Sequence, residues 1–268
     1  TQDFTSEGVV AAPSWPYQVN LLESQKQPIA STVANGRSAR MRQLRAACVD
    51  RVVSCMSLSA ILTPSDIDRL GFAAVGLALV FAGRRCGGRS LGFDRSMIHL
   101  AGVGTLLHDI GKMKVPLELL NKPGRFEPHE MEIVKQHVLR GVEVLSSTTG
   151  LGDTYIQPAL EHHERVNGAG YPHRRAHQDI SQVGLITAVV DIYDAMTSDR
   201  VYHKGKPAHE VLQLLYRLSL EGHLDPTLVQ RFIQVVGVYP VGSVVELNTG
   251  ETGIVKQINH NAPLAPVV

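Results

Sequence analysis

Between Leu185 and Tyr193 the chain reads Leu-Ile-Thr-Ala-Val-Val-Asp-Ile-Tyr, an apolar run with one carboxylate, Asp191, set inside it. A carboxylate on so apolar a helix needs a partner, because an unpaired charge is costly to take out of water. The conflict recurs along the chain. His137 lies among Ile133, Val134 and Val138, His162 and His163 close the helical stretch that begins at Asp153, and His108 and Asp109 follow the apolar stretch Asp94 to Leu107. Any one of these is ordinarily a satisfied polar group in a core. Imidazoles and carboxylates repeated on successive apolar helices instead require a fold that turns them toward one shared interior.

Helical spacing dominates the sequence. Met41, Leu44, Ala47, Cys48, Val52 and Cys55 step by three and four within residues 36 to 60, and Thr63-Pro64-Ser65-Asp66 is a helix start leading a buried helix to about Arg85. Further helices are expected over 94–107, through Ile133, Val134, His137, Val138, Val142 and Leu145, and over 153–163, 181–196, 208–220 and 226–236. The period changes at Tyr239. Ser243 to Leu247 and Gly253 to Lys256 alternate around the turn Asn248-Thr-Gly250 as a small β-hairpin, with Ala265 to Val268 as a third strand. The expected architecture is mainly α, a helical bundle with a small C-terminal β appendage. Its divisions are an N-terminal segment over residues 1–60, irregular and then helical, the helical domain over 61–238 and the β appendage over 239–268.

Composition narrows the function classes. With 26 basic against 25 acidic residues and a net charge of +1, the chain has no bulk field for DNA or an anionic membrane. Three cysteines cannot staple 268 residues, which favours a reducing compartment, the cytoplasm. Cys48 and Cys55 read as small core residues. The apolar stretch Gly71 to Gly83 is shorter than the ~20 residues a spanning helix needs and is closed by Arg84 and Arg85, and residues 1–20 lack the pattern of a signal peptide.

Twelve histidines direct attention to metal chemistry, since imidazole is the commonest metal ligand. His108-Asp109 places a hard carboxylate beside an imidazole, ligand chemistry for manganese, iron or zinc, and a carboxylate can bridge two ions. Alone, the pair is weak evidence and reads first as a helix-end histidine with Asp109 as a cap. Lys112, three residues on, brings one more positive charge within short reach.

Three ordered motifs then make the chain recognisable. His108-Asp-Ile-Gly-Lys112, His162-His-Glu-Arg-Val-Asn-Gly-Ala-Gly-Tyr-Pro172 and Asp191-Ile-Tyr-Asp-Ala-Met-Thr-Ser-Asp-Arg-Val-Tyr202 closely resemble the HD-GYP subgroup of the HD superfamily of metal-dependent phosphohydrolases. The resemblance spans about residues 65 to 237. Lys114-Val-Pro116, Asn121 to Arg125, Val201 to Gly205 and the tail from Tyr239 resemble the branch with an extra small N-terminal domain, expected to be truncated or absent here.

That resemblance implies a cyclic di-GMP phosphodiesterase, releasing linear diguanylate or GMP, with divalent transition metals at two sites: iron or manganese first, with zinc, nickel and cobalt compatible. Carried over by position, Asp109 bridges the ions. His137, His162 and His163 hold one, and His108 and Asp191 hold the other. Asp109 and Lys112 are the implied catalytic residues, with Lys112 meeting the scissile phosphate. Gly170, Tyr171 and Pro172 form a loop that shapes substrate contacts and the docking of diguanylate cyclase domains, and Arg200 and Lys204 contact phosphate.

One position departs from the pattern. Where the family has a ligand histidine on the helix before the His-Asp motif, this chain has Leu70, with Asp66 at the acidic position one turn earlier. His99 does not replace it, lying nine residues before His108 and near the opposite helix face. The His108 and Asp191 site therefore lacks one ligand. Two functions follow: an enzyme with one loosely held ion, or a degenerate member that binds cyclic di-GMP or a partner protein as a sensor or scaffold.

Overall fold

The computed structural model describes residues 95–149, 151–198, 205–259 and 261–268. The helices expected over 36–60 and 65–85, and Leu70, Arg200 and Lys204, lie outside these described residues. Eight α-helices are described: α1 (Arg95–Leu107), α2 (Leu117–Leu120), α3 (Pro128–Lys135), α4 (His137–Ser146), α5 (Asp153–Glu161), α6 (Gln182–Thr197), α7 (Ala208–Leu220) and α8 (Pro226–Val236). Short 3-10 turns occupy Ile110–Lys114 and His177–Asp179.

Local chemistry accounts for the helix ends. Ser181 caps α6 by accepting the Gly184 N–H at 3.0 Å, and Asp225 caps α8 by accepting that of Leu228 at 2.7 Å, with Pro226 in the first turn. Glu127 and Glu130 form a capping box on α3. Gly237, at φ 80° and ψ 148°, takes a positive-φ conformation open to glycine, and α8 stops there.

The core has two main parts. Val103, Leu106, Leu107, Ile110, Leu145, Ile156 and Ala159 pack α1, α4 and α5 together. A larger cluster, including Ile186, Val189, Leu212, Leu215, Val229 and Phe232, joins α6, α7 and α8. Helices α5 and α6 pack against each other, as do α1 and α6, so α6 touches both parts. Buried His108, Asp109, His137 and His162 are carried at or near the ends of helices in the first part.

Two expectations need correction. The stretch through Ile133 to Leu145 divides at Gln136 between α3 and α4, which makes His137 the first residue of a new helix. The third β-strand is reduced to a single bridge, Gln257 with Val267. Pro266 has no N–H to extend the pairing. The hairpin itself forms, with β1 (Val244–Glu246) antiparallel to β2 (Thr252–Ile254) and Val245 opposite Gly253. No helix among the described residues is long and apolar enough to cross a membrane.

Candidate metal centre

Helix α1 stops at Leu107, and the chain turns through His108 and Asp109 into the 3-10 turn. Gly111 permits that course: a Cβ there would stand 1.9 Å from the His137 carbonyl oxygen, so only glycine lets the turn lie against α4. His108 and Asp109 thereby meet the first residue of α4.

The Asp109 carboxylate stands between imidazoles. Its Oδ1 lies 3.4 Å from His137 Nε2 and 3.7 Å from His162 Nε2, and its Oδ2 lies 3.3 Å from His108 Nε2 and accepts a hydrogen bond from Lys112 Nζ. His108 Nε2 is also 3.4 Å from Asp191 Oδ1, and the Nε2 atoms of His137 and His162 are 3.4 Å apart. Donors bound ~2.0–2.2 Å from one ion sit roughly 3–3.5 Å from each other.

Each inner imidazole is oriented from behind. His108 Nδ1 is 2.6 Å from the Thr105 carbonyl, His137 Nδ1 is 2.7 Å from that of Val134, and His162 Nδ1 is 3.0 Å from those of Pro158 and Ala159. A carbonyl can only accept, so each Nδ1 donates and each Nε2 faces inward, the arrangement that holds a metal-binding histidine in one tautomer. Buried His108 Nε2 and Asp109 Oδ1 have no hydrogen-bond partner. Two inward polar atoms left without partners fit an ion between them.

Two groups among the described residues have the spacing to hold a metal ion: His137, His162 and His163, and His108, Asp109 and His162. His162 belongs to both, although the sequence reading gave it to one. Burial pushes His137 down to about 3, with Lys112 and His162 adding to the effect against Asp109. Burial likewise lowers His162 and His163. These three rings are neutral ligands near pH 7. Burial acts against the charge of His108 too, yet Asp109 and Asp191 overcome it and raise the ring to about 10. Burial alone would raise Asp109; Lys112 and His108 instead hold it well below the usual carboxylate range. Without a metal, a protonated His108 is the cation between two carboxylates.

Gly170, Tyr171 and Pro172 fold back over the His162-His163 turn. A Cβ on Gly170 would lie 2.4 Å from the backbone nitrogen of Arg165, and the Tyr171 N–H bonds to the His163 carbonyl at 3.1 Å. The Tyr171 ring stacks on His163, centroids 4.6 Å apart and planes inclined by 23°. Pro172 is half-buried.

Two residues outside the sequence expectations fasten this loop. Buried Glu164 accepts the His173 N–H at 2.7 Å and the Arg175 N–H at 2.9 Å, around Arg174 with its φ of 55°. Backbone N–H groups converging around a left-handed residue form an anion-binding nest, filled here by a carboxylate of the same chain. Buried Glu161 accepts the Ser181 N–H at 2.9 Å and pairs with Arg175, tying α5 to the start of α6. The two acids flanking His162-His163, Glu161 and Glu164, are the sequence signal for them.

Comparison with known proteins places the chain in a family. Residues 67–228 match the HD domain family model. The protein named cyclic di-GMP phosphodiesterase PA4108, from Pseudomonas aeruginosa, is 39% identical over 180 residues, covering 67% of this chain and 43% of that protein. A Thermotoga maritima protein named cyclic di-GMP phosphodiesterase is 42% identical over 131 residues, covering 48% of this chain and 35% of the relative. The chain thus spans less than half the length of these two curated relatives. Among solved structures, Bd1817, an HDG"Y"P protein from Bdellovibrio bacteriovorus, matches in fold with a TM-score of 0.50 at 22% identity, over 71% of this chain and 61% of that one. With the family model matched across more than half of its length, the chain belongs to the HD domain family.

Proposed function

We propose that this chain is a metal-dependent phosphodiesterase that hydrolyses cyclic di-GMP to linear diguanylate, GMP or both. The observation that carries the reading is the buried Asp109 carboxylate, with one oxygen toward His137 and His162 and the other toward His108, which in turn faces Asp191. The names of the two relatives support the substrate. In this reading Asp109 would bridge two divalent ions, iron or manganese first and zinc, nickel or cobalt as alternatives. His137, His162 and His163 hold one ion, and His108 and Asp191 the other. Residues 61–238 are the catalytic domain, working in the cytoplasm.

A phosphodiester presents a poorly electrophilic phosphorus behind anionic oxygens, and bound ions of this class supply Lewis acidity and lower the pKa of water. The chain's own groups do the rest. The carbonyls of Thr105, Val134, Pro158 and Ala159 hold the rings in the required tautomer. Lys112, partly exposed beside Asp109, supplies positive charge to the scissile phosphate as negative charge develops on it. Gly170, Tyr171 and Pro172 shape the wall beside His163 and the face for diguanylate cyclase domains, and Arg200 and Lys204 contact phosphate.

Leu70 favours a second reading, a protein that binds the dinucleotide or a partner with little hydrolysis. The deciding experiment follows linear diguanylate and GMP release alongside equilibrium binding, with manganese, ferrous iron or zinc. Release under any of these ions is the expected result. Binding without release under all three establishes the sensor reading, and absence of both defeats the two together.

A further inference from the structure

Helices α1 and α6 meet through apolar side chains at one level, where Leu100, Ala101 and Val183 pack together. One step nearer the site the contact becomes polar. Thr105 and Thr187, both fully buried, bring their hydroxyl oxygens to 3.1 Å across a sequence separation of 82 residues. Thr187 Oγ1 donates its proton to the Val183 carbonyl at 2.8 Å, so Thr105 is the donor between the two hydroxyls. The bond back to Val183 is ordinary for a threonine within a helix. The bond across to α1 is not, and a pair of apolar side chains would fill the same place without burying hydroxyls.

The position of the pair gives it a purpose. Thr187 stands one turn before Asp191, and Thr105 one turn before His108 and Asp109. The Thr105 carbonyl also orients the His108 ring. A hydroxyl contact has a preferred length and direction, which apolar packing lacks. We propose that Thr187, acting through Thr105, is a positioning residue that sets the separation of His108 and Asp191 and thereby the affinity for the ion these two hold. This inference rests on the two-ion reading above.

The test is manganese binding to the full chain by equilibrium dialysis, alongside hydrolysis at limiting and at saturating manganese and a thermal melt. Thr187→Val should weaken one of two ions by ~10-fold or more, the scale for loss of a group that supports a ligand from behind. That ion should be the one lost in His108→Ala, with the other unchanged. Hydrolysis should fall at limiting manganese and recover at saturation. Thr187→Ser, which keeps the hydroxyl, should restore affinity to within a few-fold, and Thr105→Val, which removes the donor from the other helix, should reproduce Thr187→Val and serve if that variant does not fold. Folded valine variants with wild-type affinity for both ions, or a serine variant as weak as the valine one, overturn the proposal alone. Fewer than two ions in the wild type overturns the two-ion reading, and this inference with it, before any variant is compared.

Discussion

Lys112 Nζ donates to Asp109 Oδ2, the same oxygen that lies 3.3 Å from His108 Nε2. A lysine charge therefore shares the carboxylate on which the proposed ions depend, and it opposes a cation placed nearby. Lys112→Met should leave metal content no lower than in the wild type while reducing the rate of cyclic di-GMP hydrolysis by ~100-fold, the scale for losing one group that stabilises transition-state charge. Elemental analysis and product release measured on the same sample check the two effects together.

Asp109→Ala should have the opposite profile. As the carboxylate between His108 and the His137 and His162 pair, Asp109 serves both ion positions, so metal content and hydrolysis should be lost together. Helical content by circular dichroism should persist, since the change chiefly removes a buried charge. Product release that survives this substitution would contradict the ligand assignment.

Leu70→His should raise metal occupancy and turnover together, because it supplies the imidazole that the family pattern has at this position and a fuller ligand shell holds the ion more tightly. Elemental analysis and turnover under limiting manganese check it. Gain in neither quantity would mean that Leu70 is not the matching position or that another residue fills the place.

The pH dependence of the metal-free protein follows from its buried rings. Burial lowers His137 to about 3 and also lowers His162 and His163, so the unfolded chain binds their protons first. Their contribution is complete above the ordinary histidine value of ~6.5 and is lost as pH falls below it, for His137 down to about 3, at up to ~1.4 kcal/mol per pH unit for that ring. His108 behaves oppositely. Raised to about 10 by Asp109 and Asp191 against the effect of burial, its contribution is complete below ~6.5 and is lost as pH rises to 10. Melting temperatures of chelator-treated protein should therefore decline on both sides of this region, and metal should remove the alkaline decline, because an ion replaces the His108 proton.

Glu164→Ala should destabilise the chain by ~2–4 kcal/mol, since it leaves the His173 and Arg175 N–H groups without their acceptor. Chemical denaturation measures the loss. Increased proteolysis confined to the loop over residues 168–180 would show that the carboxylate fastens that loop.

Sequence alone determined the parts of this protein that depend on near neighbours. Helices α7 and α8 occupy the residues their periodicity predicted, and the recurrence of His108, Asp109, His137, His162, His163 and Asp191 beside apolar positions pointed to side chains that the fold draws together. Spacing of three and four residues fixes which side chains share a helix face, and that information is local. Tertiary structure decided what depends on distance between segments. Whether His162 faces His137 or His108, whether Glu164 closes on Arg175, and whether Thr105 meets Thr187 across 82 residues are set by how helices pack, and no local period records it. The break at Gln136 belongs with these, since it lies where the distant Gly111 turn packs against the His137 backbone.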